Sequence, residues 1–311
     1  MTSRTEPTAR LLSRLRDDDL ARLGVQDQDR PAVLGWAQEV AHDDIDLARV
    51  EFLVERLGRI VDHPERAAEV FEPVDEQHRL GRGVLPVLAL VLAAPRLRER
   101  LSERGLVPEV VDATLADLGW QVYKDRRVNG STGLHNQRWL AMVWAGHFLK
   151  LGRLQFELTT SDVGILEAEV PVLAIHIDPS GPLHPELVDD SLRQATLLFE
   201  QHYPEVGPID WFTCTSWLLD PGIGWRLGEG NVVDFARRFA VWKVTECDRD
   251  GFYFGFDVGP DERPLAEQWA ALEARNRVQE AMLAHWREGE HVVLAQGRLP
   301  VISSELSEPA S

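Results

Sequence analysis

His176 and Glu157 are the residues of this chain whose type and setting best suit moving a proton. His176 lies near the C-terminal end of the apolar run VLAIHI. An imidazole titrates near pH ~6.5, so it can take up and release a proton at neutral pH. Glu157 lies in LQFELT, where strand alternation puts Arg153, Gln155 and Glu157 on one face and Leu154, Phe156 and Leu158 on the other. Such a polar face lines a cleft or simply meets solvent, and Arg153 could pair with Glu157. A strand histidine can likewise do no more than bond a backbone carbonyl. Cys214 and Ser216 share a face of WFTCTSWLL with Phe212. The aromatic and apolar surroundings make Cys214 a buried, inert thiol rather than a nucleophile.

The segment after His176 could hold an anion. The stretch IDPSGPLHPELVDDSLRQATLLFEQHYP passes from a strand through a Gly/Pro turn into an amphipathic helix. Backbone N–H groups at a helix start, beside a strand end, suit a pyrophosphate. Residues 180–183 and the beginning of the next helix are the candidate site.

Other chemistries find no support. His135, His147, His176, His184 and His202 do not fall at metal-ligand spacing, so no metal is expected. GWRLGEGN lacks the G-x-G-x-x-G of a dinucleotide site, and neither a Walker A motif nor G-x-S-x-G occurs. The net charge of −18 would repel a nucleic acid. Two cysteines, Cys214 and Cys247, are too few for a disulfide framework and suit a reducing compartment. The N-terminus has no signal-peptide core, and the longest apolar run, residues 84–94, is too short to span a bilayer. A soluble, cytoplasmic protein with no membrane partner is the expectation.

The elements that must position these residues fall into two halves. Residues 1–118 read as a helical domain, with helices starting near Pro31, Pro64 and Pro108 and a central apolar helix over residues 84–101. In residues 44–61, Ile45, Ala48, Phe52, Val54, Leu57 and Ile60 repeat at helical spacing. Residues 119–302 mix strands and helices. Helices are expected over 134–148, up to Pro204, over 232–240 with Asn231 as N-cap, and over 264–286. Strands are expected over 154–159, 172–177, 211–219 and 291–295, with a hairpin of 242–247 and 251–257 around CDRDG. Residues 303–311 read as a disordered tail. The fold class is α+β: a helical domain followed by a domain with a twisted mixed sheet.

This order, with the wording LGRLQFEL, HIDPSGPLHPELVDDSLRQATLLFEQHYP, CTSWLLDPG and GNVVDFARRF, resembles the two-domain acyltransferases. These join an N-acyltransferase N-terminal helical domain to a GNAT-like C-terminal domain. The resemblance spans roughly residues 8 to 300 and is strongest between Leu151 and Phe239. It implies an acyl-CoA-dependent N-acyltransferase that uses acetyl-CoA or another acyl-CoA as co-substrate. A small-molecule or peptide amine would attack the thioester directly, with His176 or Glu157 as general base. Ile177, Ser180, Gly181, Leu183, Ser216 and Asn231 are the candidate cofactor-binding residues, with Ser216 meeting either the pantetheine amides or a backbone group. One departure stands out. Where GNAT proteins have Arg/Gln-x-x-Gly-x-Gly/Ala, this chain has DPSGPLH at residues 178–184, with a single glycine and two prolines that cannot donate. Asp178 would repel a pyrophosphate if it pointed inward. A ligand-binding or regulatory module of the same fold, without turnover, is the alternative.

Overall fold

The computed structural model describes residues 6–71, 77–259 and 262–301. Contacts divide the chain into two compact units, Met1–Lys150 and Leu151–Ser311. The tail expected at residues 303–311 lies outside the described residues.

The first unit is helical. It contains α1 (Glu6–Ser13), α2 (Asp17–Ala21), α3 (Arg30–Val40), α4 (Asp44–Ile60), α5 (Val84–Glu103), α6 (Pro108–Leu115), α7 (Asp117–Asn129) and α8 (Gln137–Met142). Asp43 caps α4 by accepting from the backbone N–H groups of Ile45 and Asp46, both at 3.1 Å. The central helix is α5, buried without interruption from Val84 to Val91. In α4 the inward face carries Asp46, Leu47, Val50, Leu57 and Ile60. Ile45 and Phe52, part of the apolar repeat in the sequence, are instead 74% and 55% exposed. The helix is turned because Asp46 takes an inward place, where its carboxylate meets His78 Nε2 at 3.0 Å.

The helical unit continues past the expected bound at Leu118, to Lys150. The Gly119 N–H donates to Leu23 O at 3.0 Å, and a Cβ on Gly119 would lie 1.9 Å from the backbone of Gly24. Trp139 Nε1 donates to Asp117 at 2.6 Å and Trp144 Nε1 to Leu90 O at 3.2 Å. These contacts tie residues 119–147 to the helices before them. The expected helix over 134–148 is shorter, because α8 gives way to an irregular turn (Val143–His147) and then to a strand.

The second unit holds a mixed sheet of order β1-β2-β3-β4-β6-β5. Its strands are β1 (Phe148–Leu151), which begins in the last residues of the first unit, β2 (Leu154–Ser161), β3 (Val170–His176), β4 (Trp211–Ser216), β5 (Ala240–Glu246) and β6 (Val293–Pro300). β3 and β4 pair in parallel; β2 with β3, β4 with β6 and β5 with β6 are antiparallel. The helices are α9 (Pro185–His202), α10 (Pro221–Leu227), α11 (Asn231–Ala236), α12 (Asp248–Asp250), α13 (Leu265–Ala270) and α14 (Arg277–Arg287).

Four local expectations change. The strand over 211–219 ends at Ser216, which caps a short 3-10 turn. The single helix over 264–286 is two, with Asn276 capping α14 through the Gln279 N–H at 3.0 Å. Helix α11 starts at Asn231 with Gly230, not Asn231, in the cap position. The hairpin around CDRDG does not form. β5 pairs with β6, and residues 251–255 make a helical turn that buries Phe252 and Tyr253. Phe252 stacks on Trp286 with centroids 4.4 Å apart. Asp248 accepts from Trp286 Nε1 at 2.6 Å and from the Val292 N–H at 2.8 Å, which fixes the bend that a β-turn was expected to make.

Candidate functional site

The centre of the sheet opens at one end. The parallel ladder between β3 and β4 runs from Leu173↔Phe212 to Ile175↔Cys214 and stops there. Beyond that rung, β3 still pairs with β2 at Gln155↔His176, and β4 still pairs with β6 at Thr215↔Gln296 and Ser216↔Ala295. The two central strands thus part company after Ile175 and Cys214, each held by its outer neighbour. Backbone groups facing a gap of this kind are free of ladder bonds across it, and a ligand amide or carbonyl can use them.

Register decides which side chains line one face there. Gln155 is opposite His176, Ala174 opposite Thr213, and Thr215 opposite Gln296. Gln155, Glu157, His176, Thr213, Thr215 and Gln296 therefore share a polar face. The opposite face is apolar, with the Phe156 and Phe212 rings 5.9 Å apart. Glu157 and His176 are diagonal neighbours across β2 and β3, and His176 Nε2 meets Glu157 Oε2 at 3.0 Å. Their side chains are 21% and 25% exposed. The structure thus brings the two proton-transfer candidates into one hydrogen-bonded pair, partly open to solvent. A carboxylate on one nitrogen fixes the orientation of an imidazole.

Arg153 does not pair with Glu157. It lies at the turn before β2 and reaches into residues 178–182. Its Nη1 meets Asp178 Oδ1 at 3.2 Å, Nη2 donates to Asp178 O at 3.0 Å and to Gly181 O at 2.6 Å, and Nε donates to Pro182 O at 3.1 Å. The side chains of Arg153 and Asp178 are only 7% and 4% exposed. Burial pulls the guanidinium below its usual pKa, and Asp178 works against that. The sequence did not suggest this lock. DPSG did carry one signal of it, since Asp-Pro-x-Gly favours an Asx turn. Asp178 Oδ1 accepts from the Ser180 N–H at 2.9 Å, and from the Ser180 hydroxyl.

The lock answers the objection that Asp178 would repel an anion, because its charge is neutralised underneath the loop. It also orients the loop. In a trans peptide the C=O and the following N–H point oppositely. Three carbonyls turn in toward Arg153. Two of them, Asp178 O and Gly181 O, precede prolines and have no N–H behind them. The third, Pro182 O, leaves the Leu183 N–H directed outward.

The other expected binding residues differ in what they can offer. Ile177 comes directly after His176 at the open end of β3. Gly181 and Ser180 are exposed, and a Cβ on Gly181 would meet nothing within 4 Å. Leu183 has a buried side chain, so only its backbone is available. Ser216 sits at the open end of β4, but its Oγ accepts from the Leu218 N–H at 3.1 Å. Asn231 Nδ2 lies 3.1 Å from His184 Nδ1, which brings the start of α11 to the start of α9. Cys214 is fully buried and burial pushes its thiol up to about 12, so it is not a nucleophile at neutral pH.

Residues 16–146 match the family model of the N-acyltransferase N-terminal domain, and residues 148–299 that of the GNAT-like C-terminal domain. Among solved structures the chain is similar to an acyltransferase mutant in complex with octanoyl-CoA. The identity is 25% over 95% of this chain and 94% of that chain, with a TM-score of 0.80. It is also similar to an acyltransferase in complex with decanoyl-CoA and teicoplanin, at 25% identity over 95% and 94% of the two chains and a TM-score of 0.74. No curated protein sequence shows a significant match.

Proposed function

This chain belongs to the acyltransferases that join an N-acyltransferase N-terminal domain to a GNAT-like C-terminal domain, and we propose that it moves a medium-length acyl group from CoA to an amine. Octanoyl and decanoyl thioesters are the first donors to expect, because the similar solved acyltransferases are complexes with octanoyl-CoA and decanoyl-CoA. Teicoplanin, present in one of them, is the first acceptor to try. The observation that carries the reading is the His176–Glu157 pair, 3.0 Å apart on the polar face where β3 and β4 part.

In this scheme the thioester lies in the opening between the two strands, with the Ile177 backbone beside its carbonyl and the phosphates at the Gly181–Leu183 turn. The amine nitrogen attacks the carbonyl carbon. A C–N bond forms and the C–S bond breaks. The amine's proton passes to His176, whose imidazolium is stabilised by Glu157, and the departing CoA sulfur takes that proton, which returns His176 to its base form. Aligning donor and acceptor supplies the rest of the acceleration, with no covalent enzyme intermediate. The test is release of free CoA thiol from octanoyl-CoA and decanoyl-CoA with and without teicoplanin, with the acylated product identified by mass. Acceptor-dependent thiol release is expected. Thioester binding seen as a melting shift, but no turnover with any amine, would favour a ligand-binding role for the same fold.

A further inference from the structure

We propose that the first unit carries a phosphate-binding pocket of its own. A cavity of about 490 Å³ opens where the C-terminal half of α4, the turn after it and the middle of α5 meet. Arg59, Arg66, Arg96 and His63 line it, with Glu55 as its one acid. Three arginines against one glutamate leave two positive charges there, in a chain whose net charge is −18. Glu55 is already engaged by Arg59, one helical turn away. The charges of Arg66 and Arg96 are what remains for a ligand.

Gly58 is part of the design. A Cβ at that buried position would lie 2.5 Å from Arg96 Nη1. The guanidinium thus rests against the α4 backbone where a larger residue would displace it toward solvent. Two planar guanidinium forks around one cavity match a phosphate group, which offers three oxygens and close to two negative charges. A single carboxylate would leave one charge unmatched. The ligand chemistry is therefore a phosphate monoester or diphosphate, whether on CoA or on an independent phosphorylated effector. This inference does not depend on the proposed role of His176.

The test is calorimetric titration of the full chain with inorganic pyrophosphate. Arg66→Gln, Arg96→Gln and the double variant are compared with wild type, and melting temperatures check the fold. Both arginines are exposed, so folding should survive. Each lost charge-assisted bond should weaken binding by about tenfold to a hundredfold, and added salt should weaken wild-type binding. Gly58→Ala, which moves Arg96 without removing it, should lose part of the affinity. Any pyrophosphate binding that persists in the double variant belongs to residues 180–183. Equal affinity in wild type and the double variant, or no binding at millimolar pyrophosphate, overturns the proposal. Competition with CoA identifies the source. CoA that displaces pyrophosphate from wild type, and binds more weakly to the double variant, is itself the ligand. CoA binding that is untouched by the double substitution points to a separate phosphorylated effector.

Discussion

A histidine that removes a proton must be held in a fixed orientation. At His176, Glu157 occupies Nε2 at 3.0 Å, and the register of β2 on β3 sets that distance. The two substitutions should therefore differ in degree. His176→Ala removes the base and should lower kcat by about 100-fold to 10,000-fold with little change in melting temperature. Glu157→Gln keeps a hydrogen bond but loses the negative charge that favours the imidazolium. It should cost less in kcat than His176→Ala. If His176→Ala stays within a few-fold of wild type, the base is another group. Cys214 offers a contrasting expectation. Its thiol is buried and pushed up to about 12. Alkylating reagents at mildly alkaline pH should leave it unmodified until the chain unfolds, while Cys247, half-buried, should react first. Labelling of native Cys214 ahead of Cys247 would contradict the burial argument.

At the scale of elements, the loop of residues 178–182 is only as ordered as the arginine beneath it. Removing one member of a buried ion pair typically costs about 3–5 kcal/mol, because the partner is left buried and unpaired. Arg153→Met should reach that range, since it also strands three carbonyls. Adding Asp178→Asn should recover part of the loss, as expected of coupled neighbours. Urea unfolding of the two single variants and the double variant measures this, and strictly additive effects would show that the pair is not coupled. In turnover, Arg153→Lys should raise the KM for acyl-CoA more than it lowers kcat. How far these elements could be read in advance varies for physical reasons. Helices α4, α5 and α9 and strands β2 and β3 were legible, because period and flanking residues agree there. The lock at Arg153 was not, because strand alternation assigns Arg153 to the face of Glu157 although it lies in the turn before the strand. The sequence GFYFG alternates like a strand, yet stacking on Trp286 outweighs its β-propensity. Ile45 and Phe52 fit a helical stripe, but Asp46 claims the inward face with His78. Local pattern captures faces and periods. It does not capture which polar residue will find a buried partner far along the chain.

At the scale of the molecule, the helical unit extends to Lys150, and this places a buried carboxyl in its interior. Asp125 lies on α7, only 1% exposed, with Asn129 Nδ2 donating to it at 2.7 Å and Arg82 Nε 3.9 Å away. Burial raises its pKa from 3.8 to about 6, while Arg82 and Asn129 pull in the other direction. An acid whose folded value exceeds its unfolded value holds its proton more tightly in the fold. The stability it contributes is then complete below about pH 4 and is lost as the pH rises through about 6. A shift of this size corresponds to roughly 3 kcal/mol above pH ~6. Two other carboxyls act in the opposite sense. Arg104 and Arg100 hold Asp62 below its usual value despite partial burial, and backbone N–H groups do the same for Asp43. Their contribution is present above about pH 4 and fades below it, so the chain's own melting curve mixes the two trends. Asp125→Asn separates them. The amide has nearly the shape of the protonated acid and can still accept from Asn129, but it cannot ionise. Near pH ~4 the variant should melt close to wild type. Near pH ~8 it should melt several degrees higher, because wild type then carries a buried charge only partly offset by Arg82. The measurement is the melting temperature of both proteins from about pH 4 to about pH 9 at fixed ionic strength. Parallel curves across that range would mean that Asp125 stays ionised in the fold at little cost and that Arg82 fully compensates its burial. A gap that opens from about pH 4, grows to about pH 6 and then stays constant is the signature of one buried carboxyl releasing its proton.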